Sequence, residues 1–404
     1  MSADVFKSSG HAWKLFCGPT VIESDLAGVV ERAGARRAFV ICSPSINRRT
    51  NTVKRIALAL GDRYAGVFDG IEKDSTYTSV CAARQAANAA GADLLIAVGG
   101  GSVLVATRAV AIFMAESDDP FKIMTQYPPG GRPFSPRLQA AKLPIVNIPT
   151  TPTSAANRAG TGLKNADLDH RMEYFDPKTR PQAIFLDDEV LLSTPFEVLR
   201  STATTVFAGV VGALAQAEVN PLVAGDQAQA FHLAFGAYPK LIDAPDDPVP
   251  RRHLALAAFL QNRAEDDGRA LIGGGAFSGD YAVSTALHVR YPHVGQGEST
   301  SILQAPAIRL AHAIEPAAAR RVADALRVWR DGMEARQASE AVAAELERIY
   351  RTMGLPQRLR DMDIPAAELP AVAAETVRNF NARATMRSPE ERIANSLRLL
   401  EAAW

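Results

Sequence analysis

A short apolar run that leads directly into three glycines constrains this chain more than any other stretch. Residues 94–98 have the composition of a buried strand, and Gly99, Gly100, Gly101 and Ser102 follow them without a spacer. Apolar residues at helical spacing come next. A strand, a glycine turn and a helix in this order can bring backbone N–H groups and the positive end of a helix dipole close to a phosphate. The same order also occurs as a tight turn that binds nothing, so both interpretations stay open at this point.

The surrounding sequence alternates between strand and helix patterns. Further apolar runs at residues 37–42, 65–69, 143–148 and 183–186 predict strands, and helical patterns separate most of them. Such alternation is typical of a mostly parallel sheet that is covered on both faces. After residue 190 the signal is helical to the end of the chain. We therefore predict an α/β dinucleotide-binding domain at residues 1–189 and an all-helical domain that carries the substrate and catalytic groups at residues 190–404.

Length, charge and cysteine content narrow the class of protein. The 404 residues suffice for two domains. Because 44 basic residues balance 44 acidic ones, nucleic acid and anionic membranes are disfavoured as partners. The three cysteines are scattered, without zinc spacing, which fits a reducing compartment. With no long apolar run and no signal-peptide pattern, we expect a cytoplasmic protein that acts on a small molecule.

Hydroxyl side chains follow two of the other predicted strands. Ser43 lies where an α/β nucleotide site usually contacts the adenosine ribose, a position at which sites selective for NAD often carry an acid. With Arg48 and Arg49 close by, this position would not repel a 2′-phosphate, so NADP is allowed alongside NAD; a plain turn with solvated arginines is the alternative. Thr150 and Thr151 leave a later strand and predict either contacts to a ribose or phosphate, or caps of the next segment.

Two of the seven histidines lie close together in the second predicted domain. His288 is near the end of a predicted helix, which three glycines at residues 273–275 precede, and His293 follows five residues later. A metal-binding pair on one helix face needs a spacing of three or four, so this pair, with Pro292 between its members, does not favour shared ligation. Arg290 separates the two histidines. A role in a cleft and an ordinary structural role are both consistent with this pattern.

Taken together, these residues resemble the iron-containing alcohol dehydrogenase family, whose superfamily includes dehydroquinate synthase. Residues 99–102 resemble its GGGS phosphate turn and residues 149–151 its PTT motif, while residues 354–361, 381–383 and the last six residues are similar to its C-terminal region. Residues 42–44 and the C-terminal tail are most similar to maleylacetate reductases. The resemblance implies an NAD(P)H-dependent reductase that forms a homodimer; enzymes of that group reduce a carbon–carbon double bond next to a ketone.

The chain departs from this family where the family binds its metal. The resemblance places an Asp and a His one helical turn apart on the first helix of the second domain, where this chain has Ala208 and Gly212. His288 matches the third ligand, and the fourth falls near Gln296 or Gly297. One ligand of four cannot hold Fe²⁺ or Zn²⁺. We therefore predict that the protein uses no metal.

The resemblance also suggests roles for the remaining polar residues. Val105 and Arg108 replace the acid and the lysine that usually follow the glycine turn. His293 lies close to a family histidine that has been assigned proton transfer near the nicotinamide, so we predict it to be the proton donor. His288 would then hydrogen-bond the substrate, and Arg290 would pair with a substrate carboxylate.

The predicted function is hydride transfer from NAD(P)H to a small carbonyl or enone acid, without a metal. A non-redox lyase or isomerase on the same fold is the alternative, because the metal ligands and the acid after the glycine turn have changed. A binding protein that has lost catalysis is a third possibility, which the intact glycine turn disfavours.

Overall fold

The structure is a computed structural model, and it describes residues 5–128, 133–216, 219–266, 277, 279–311, 315–379 and 388–404. The chain forms two compact units. The first comprises His11–Pro195 and Asp246–Ala255. The second comprises Phe196–Pro245 and Leu256–Trp404, together with the described part of the segment that ends at Gly10. The predicted domain boundary near residue 190 stays a prediction.

The first unit contains a six-stranded sheet in which every described pairing is parallel. Its strand order is β1-β8-β5-β4-β2-β3, and a separate antiparallel pair is formed by β6 and β7. The strands are β1 (Lys14–Gly18), β2 (Ala38–Cys42), β3 (Tyr64–Phe68), β4 (Leu94–Gly99), β5 (Ile145–Pro149), β6 (Gly160–Leu163), β7 (Met172–Phe175) and β8 (Ala183–Asp187). This sheet confirms the α/β fold class that the alternating pattern predicts.

Helices pack on both faces of the sheet, which explains why its central strands are continuous apolar runs. Leu94, Ile96 and Val98 face one core, with residues of α1 and α3, whereas Leu95 and Ala97 face the other, with residues of α4 and α5. The helices of this unit are α1 (Val21–Arg32), α2 (Pro44–Arg49), α3 (Thr52–Leu60), α4 (Tyr77–Ala89), α5 (Gly101–Ala115), α6 (Pro120–Ile123) and α7 (Asp188–Leu192), with 3₁₀ turns at Gly61–Arg63 and Pro177–Thr179.

The second unit is helical throughout its described residues, as predicted. Its helices are α8 (Phe196–Leu214), α9 (Pro221–Ala237), α10 (Lys240–Asp243), α11 (Pro248–Asp266, which contributes residues to both units), α12 (Tyr281–Arg290), α13 (Gln296–Leu310), α14 (Pro316–Ala325), α15 (Ala335–Thr352), α16 (Leu369–Glu375) and α17 (Pro389–Ala403), with 3₁₀ turns at Leu359–Met362 and Ala366–Glu368. None of the described helices combines the length and apolar character needed to cross a membrane.

Side-chain caps fix where several of these helices begin. Asn220 accepts hydrogen bonds from the backbone N–H groups of the first turn of α9, Asp280 does so for α12 and Ser388 for α17. Each cap satisfies N–H groups that have no partner within the helix. The cap at Asp280 thereby sets the position of α12, near whose end His288 and Arg290 lie.

Candidate functional site

The strand register brings the predicted cofactor residues of the first unit to one edge of the sheet. Cys42 pairs with Val98, and Gly99 pairs with Pro149, so β2, β4 and β5 end side by side. The residues that follow these three strands are Ser43, the glycine turn and Thr150. The carboxyl edge of parallel strands is where α/β folds bind their ligands. The sequence places the three motifs far apart, and the parallel pairing is what brings them together.

Close packing leaves no space for a side chain at one position of the glycine turn and little at another. A Cβ atom on Gly99 would lie 2.6 Å from Val103 Cγ2, and one on Gly101 would lie 3.2 Å from Thr153 Oγ1. Gly100 is the N-cap of α5 and its carbonyl oxygen accepts from Val103 N at 3.0 Å. The N–H groups of the first turn of a helix have no acceptor within that helix. The turn therefore offers donors and the helix dipole to an anion.

A second loop holds Ser102. The backbone N–H of Asp74 donates to Ser102 Oγ at 3.1 Å, and Ser75 Oγ donates to the carbonyl oxygen of Ser102 at 2.7 Å. Asp74 and Ser75 are buried and both adopt left-handed backbone conformations, with φ of 69° and 55°. Because Ser102 Oγ already accepts one hydrogen bond, its own proton is directed elsewhere and can be donated to a ligand.

The threonines after β5 include a buried hydroxyl without a hydrogen-bond partner. Thr150 N donates to the carbonyl oxygen of Gly99 at 3.0 Å, and the Thr150 carbonyl oxygen accepts from Thr194 Oγ1 at 2.7 Å. Thr151 Oγ1 is buried and has no partner among the residues that the structure describes. Buried hydroxyls are usually hydrogen-bonded. A ribose or phosphate oxygen at this edge would satisfy Thr151, so these residues fit a dinucleotide cofactor.

The predicted ribose position has an acid nearby that the sequence analysis missed. Ser43 Oγ lies 3.0 Å from Ser45 Oγ at the start of α2. Asp69 directly follows the neighbouring strand β3; Asn47 Nδ2 donates to its carboxylate at 3.1 Å, and Arg48 Nε lies 3.7 Å from it. Its position at the end of a predicted strand was the available signal. Binding of NADP stays a prediction. Arg48, which is predicted to allow a 2′-phosphate, lies beside the Asp69 carboxylate.

In the second unit, the helix that the resemblance assigns to the first two metal ligands carries no ligand. Ala208 and Gly212 are buried in α8, and residues 206–213 are all apolar or glycine. Gln304 of α13 donates from Nε2 to the carbonyl oxygen of Ala208 at 3.2 Å and to that of Phe277 at 2.5 Å. The Tyr350 hydroxyl donates to Gln304 Oε1, and burial raises the pKa of this hydroxyl. Protein groups alone satisfy the polar atoms of Gln304.

The start of α13, where the fourth ligand would fall, has no space for a side chain at position 297. A Cβ atom on Gly297 would overlap the backbone of Ser201, at 2.5 Å from its Cα. Gly297 N donates to Ser201 Oγ at 3.2 Å, and Ser201 Oγ donates to the Glu298 carboxylate at 2.7 Å. No group of three or more His, Cys, Asp or Glu side chains in the described residues can hold a metal ion. These residues do not fit the family metal, although its absence stays a prediction.

The histidine region lies on α12 and the loop after it. His288 is half-buried, and His293 is exposed, with Nε2 2.9 Å from the carbonyl oxygen of Met362. Arg290 makes ion pairs with Glu368 and with Glu375, which disfavour the predicted pairing with a substrate carboxylate. The roles of all three residues stay predictions. The glycines at 273–275 and residues 381–383 lie outside the described residues.

Comparison with known proteins assigns the chain to a family. The iron-containing alcohol dehydrogenase family matches residues 14–188, and the C-terminal part of the Fe-containing alcohol dehydrogenase family matches residues 201–403. Maleylacetate reductase 2 of Cupriavidus pinatubonensis is 28% identical over 262 residues, which are 64% of this chain and 64% of that protein. Maleylacetate reductase 1 of the same organism is 26% identical over 59% of this chain and 58% of that protein. The chain thus spans less than two thirds of the length of either relative.

Solved structures share the fold over the full length. Alcohol dehydrogenase from Oenococcus oeni has a TM-score of 0.84 at 18% identity, covering 99% of this chain and 100% of that one. Maleylacetate reductase from Agrobacterium tumefaciens has a TM-score of 0.73 at 19% identity, covering 99% and 98%. At such identities the likeness concerns the fold alone. The two family matches, which lie in order along the chain, show that it belongs to the iron-containing alcohol dehydrogenase family.

Proposed function

We propose that this protein is an NAD(P)H-dependent oxidoreductase that reduces a small carbonyl or enone acid of the maleylacetate type, without a metal ion. Family membership and the two relatives named maleylacetate reductase support this activity. The observation that carries the cofactor part is the buried, unpartnered Thr151 hydroxyl beside a glycine turn at the carboxyl edge of the sheet.

The groups that would hold the cofactor have defined tasks. The N–H groups at the start of α5 and the Ser102 hydroxyl would bind the pyrophosphate, and Thr151 would bind a ribose or phosphate oxygen. Ser43 would lie near the adenosine ribose. When bound, the reduced nicotinamide supplies a hydride.

Metal independence is proposed because the assigned positions on α8 carry Ala208 and Gly212, and Gly297 at the start of α13 has no space for a side chain. In metal-dependent relatives a Lewis acid can stabilise the negative charge that develops on the substrate oxygen. In this chain hydrogen-bond donors or cations would do so. His288, which is half-buried on α12, is the proposed donor to the substrate.

His293 is the proposed proton donor, and its contact with Met362 limits how it can act. A carbonyl oxygen only accepts, so Nε2 carries the proton in that 2.9 Å hydrogen bond. The neutral imidazole would then have a bare Nδ1. His293 would therefore donate a proton from Nδ1 of the charged imidazolium while Nε2–H stays bonded to Met362. Arg290 would bind the substrate carboxylate only if it released Glu368 or Glu375 from its ion pairs.

A homodimer is also proposed. Strand β1 is at one end of the sheet order, and β8 is its neighbour among the described strands. Trp13, directly before β1, is exposed. An edge strand with an exposed aromatic neighbour is suited to contact a second copy.

The experiment that tests the activity is a titration with NADH and NADPH, followed by the fluorescence of the reduced nicotinamide. We expect binding of at least one cofactor, and its oxidation when maleylacetate or a related oxo acid is added. Binding without oxidation across a panel of enone and oxo acids would favour a non-redox enzyme. Absence of binding would contradict the proposal and favour a lyase, an isomerase or a lapsed binding protein.

Metal independence is tested by elemental analysis of the purified protein, before and after dialysis against a chelator. We expect less than stoichiometric iron and zinc and full activity after dialysis. Stoichiometric iron or zinc, with activity that depends on it, would contradict this part of the proposal and leave the cofactor part intact.

The role of His293 is tested by two substitutions. His293→Ala should lower kcat by about 10²–10⁴-fold, because a positioned general acid contributes this much. His293→Gln keeps a donor for the Met362 carbonyl oxygen but cannot transfer a proton, so it should show a similar loss with normal thermal stability. His232→Ala, an exposed histidine on α9, is the control. Unchanged turnover in His293→Gln would exclude the proton-donor role.

A further inference from the structure

Arg108 is a fully buried arginine that no carboxylate neutralises in the described residues. It lies on α5, and its side chain is the largest of those that are less than 2% exposed. Nη1 donates to the carbonyl oxygen of Ala155 at 3.1 Å and to that of Arg158, whereas Nε is buried without a partner in the described part of the chain. The guanidinium group is therefore held by backbone dipoles alone.

The surroundings of Arg108 disfavour its charge further. Burial lowers the pKa of Arg108 to about 9, and the positive charges of Arg158 and Arg180 contribute to this lowering. At neutral pH the group is still protonated. A buried cation is costly unless an opposite charge and hydrogen bonds accompany it. The unneutralised charge of Arg108 itself is consistent with an anion that binds nearby.

The hydrogen bonds of Arg108 fix the loop that follows β5. Asn147 Nδ2 donates to Ala156 O at 2.8 Å, and Thr179 Oγ1 donates to Ala159 O at 3.0 Å, so three buried side chains fasten residues 155–159. The same loop begins with Thr151 and contains Thr153, whose hydroxyl packs against Gly101. Arg108 thereby fixes the loop that packs against the glycine turn. This loop also carries the unpartnered Thr151 hydroxyl.

Arg108 is also close enough to influence an anion at that turn. It comes seven residues after Gly101 on α5, which corresponds to about 10 Å along the helix axis. At this distance a unit charge in a protein interior, where the effective dielectric constant is about 20, changes an anion affinity by about ten-fold. The phosphates of the proposed cofactor would lie on the N-terminal side of α5, where the helix dipole acts in the same direction.

We propose that Arg108 is a positioning residue of the cofactor site, which fixes the threonine loop and whose charge favours the binding of a pyrophosphate-bearing nucleotide. The inference rests on the proposed function in that the anion is the pyrophosphate of the cofactor. An arginine with a purely structural role would need only its N–H donors. The experiment must therefore separate the effect of the charge on nucleotide affinity from the effect of the hydrogen bonds.

The test uses two substitutions. Arg108→Gln keeps N–H donors without the charge, and Arg108→Lys keeps the charge without the planar guanidinium group and its fixed donors. Dissociation constants are measured for NADH and NADPH by fluorescence and for ADP by calorimetry. We expect Arg108→Gln to weaken all nucleotides that bind by about ten-fold or more, and Arg108→Lys to stay within about three-fold of the original protein. The kcat at saturating cofactor should change less than the dissociation constant.

Arg63→Gln is the matched control, because it removes the same charge from a partly exposed position of the same unit. Equal nucleotide affinity in Arg108→Gln and the original protein would overturn the proposal, as would an equal loss of affinity in Arg108→Gln and Arg108→Lys, because the charge would then have no effect. If Arg108→Gln does not fold, the nucleotide affinity of Arg108→Lys alone shows whether the positive charge or the guanidinium hydrogen bonds matter. ADP binding separates this inference from the proposed function, since the Arg108 effect on ADP can be present in a protein that oxidises no NAD(P)H.

Discussion

The carboxyl edge of the sheet and the contact between α8 and α13 use their polar groups in opposite ways. At the sheet edge, the glycine turn and Thr151 have donors that the described protein groups leave available. Between α8 and α13, Gln304 donates to the Ala208 carbonyl oxygen and accepts from the Tyr350 hydroxyl of α15, and Ser201 bonds the start of α13. The first arrangement is suited to receive a ligand. The second is complete without one, although the resemblance assigns the metal ligands of the family to this part of the chain.

The largest expected effect comes from returning a ligand to α8. Ala208→Asp would bury a carboxylate at a position that is 1% exposed, within a stretch that contains no cation or donor side chain. We expect a loss of about 3–5 kcal/mol in the free energy of unfolding, the cost of an uncompensated buried charge. Denaturant unfolding measures this loss, and Ala208→Val, which adds volume without charge, is the control.

Adding Gly212→His and Gln296→His to Ala208→Asp would restore the donors that the resemblance assigns to the metal. We expect this triple variant to bind neither Fe²⁺ nor Zn²⁺ with a stoichiometry of one and to gain no stability from either. Recovery of stability on addition of zinc would mean that space for a metal is still present. The contact between α8 and α13 would then be able to receive a ligand, like the carboxyl edge of the sheet.

The next effect concerns the close approach at Gly297. A methyl group there would collide with the Ser201 backbone, which cannot move aside as a flexible side chain would. We expect Gly297→Ala to lower the free energy of unfolding by about 3 kcal/mol, the upper part of the usual range for overpacking. Gly225→Ala on α9, where a methyl group meets open space, should instead raise it by up to about 1 kcal/mol. Equal stabilities of the two variants would show that α8 and α13 are not tightly joined at Gly297.

The sequence predicts the central strands and the glycine turn at the carboxyl edge of the sheet because their signals are local. Buried parallel strands are apolar runs, and a glycine turn between strand and helix is visible within ten residues. The strands β1, β6 and β7 escape the same reasoning. Strand β6, Gly160–Leu163, contains two glycines, and its hydrogen bonds come from β7, so tertiary pairing rather than propensity makes it a strand.

Contacts between distant parts of the chain account for the rest of what the sequence could not reveal. Arg290 resembles a substrate-binding arginine until Glu368 and Glu375 are placed beside it, and these residues follow 78 and 85 positions later. Asp69 is recognisable as the residue after a strand, but its approach to Arg48 depends on the pairing of β2 with β3. Gly297 looks like any glycine in the first turn of a helix, and only the position of Ser201 shows why it is needed.

The smallest expected effect tests whether the loop that contacts Ser102 stores backbone strain. Ser75 has a φ of 55° and donates to the carbonyl oxygen of Ser102. Ser75→Ala and Ser75→Gly both remove this hydrogen bond, but only glycine adopts the left-handed conformation without cost. We therefore expect the glycine variant to be more stable than the alanine variant by about 1 kcal/mol in thermal or denaturant unfolding.

Cofactor affinity should follow a different order from stability in this pair. Both variants free the Ser102 backbone, and glycine also loosens the loop, so we expect the dissociation constant for NAD(P)H to rise by about three-fold in Ser75→Ala and somewhat more in Ser75→Gly, as for the loss of a modest hydrogen bond. A glycine variant that is both more stable and weaker in binding would mean that the strained turn holds Ser102 in place for the cofactor. If the glycine variant bound as tightly as the original protein, the left-handed turn would be only a feature of the loop, and the contrast with the self-contained α8–α13 contact would rest on Thr151 and the glycine turn alone.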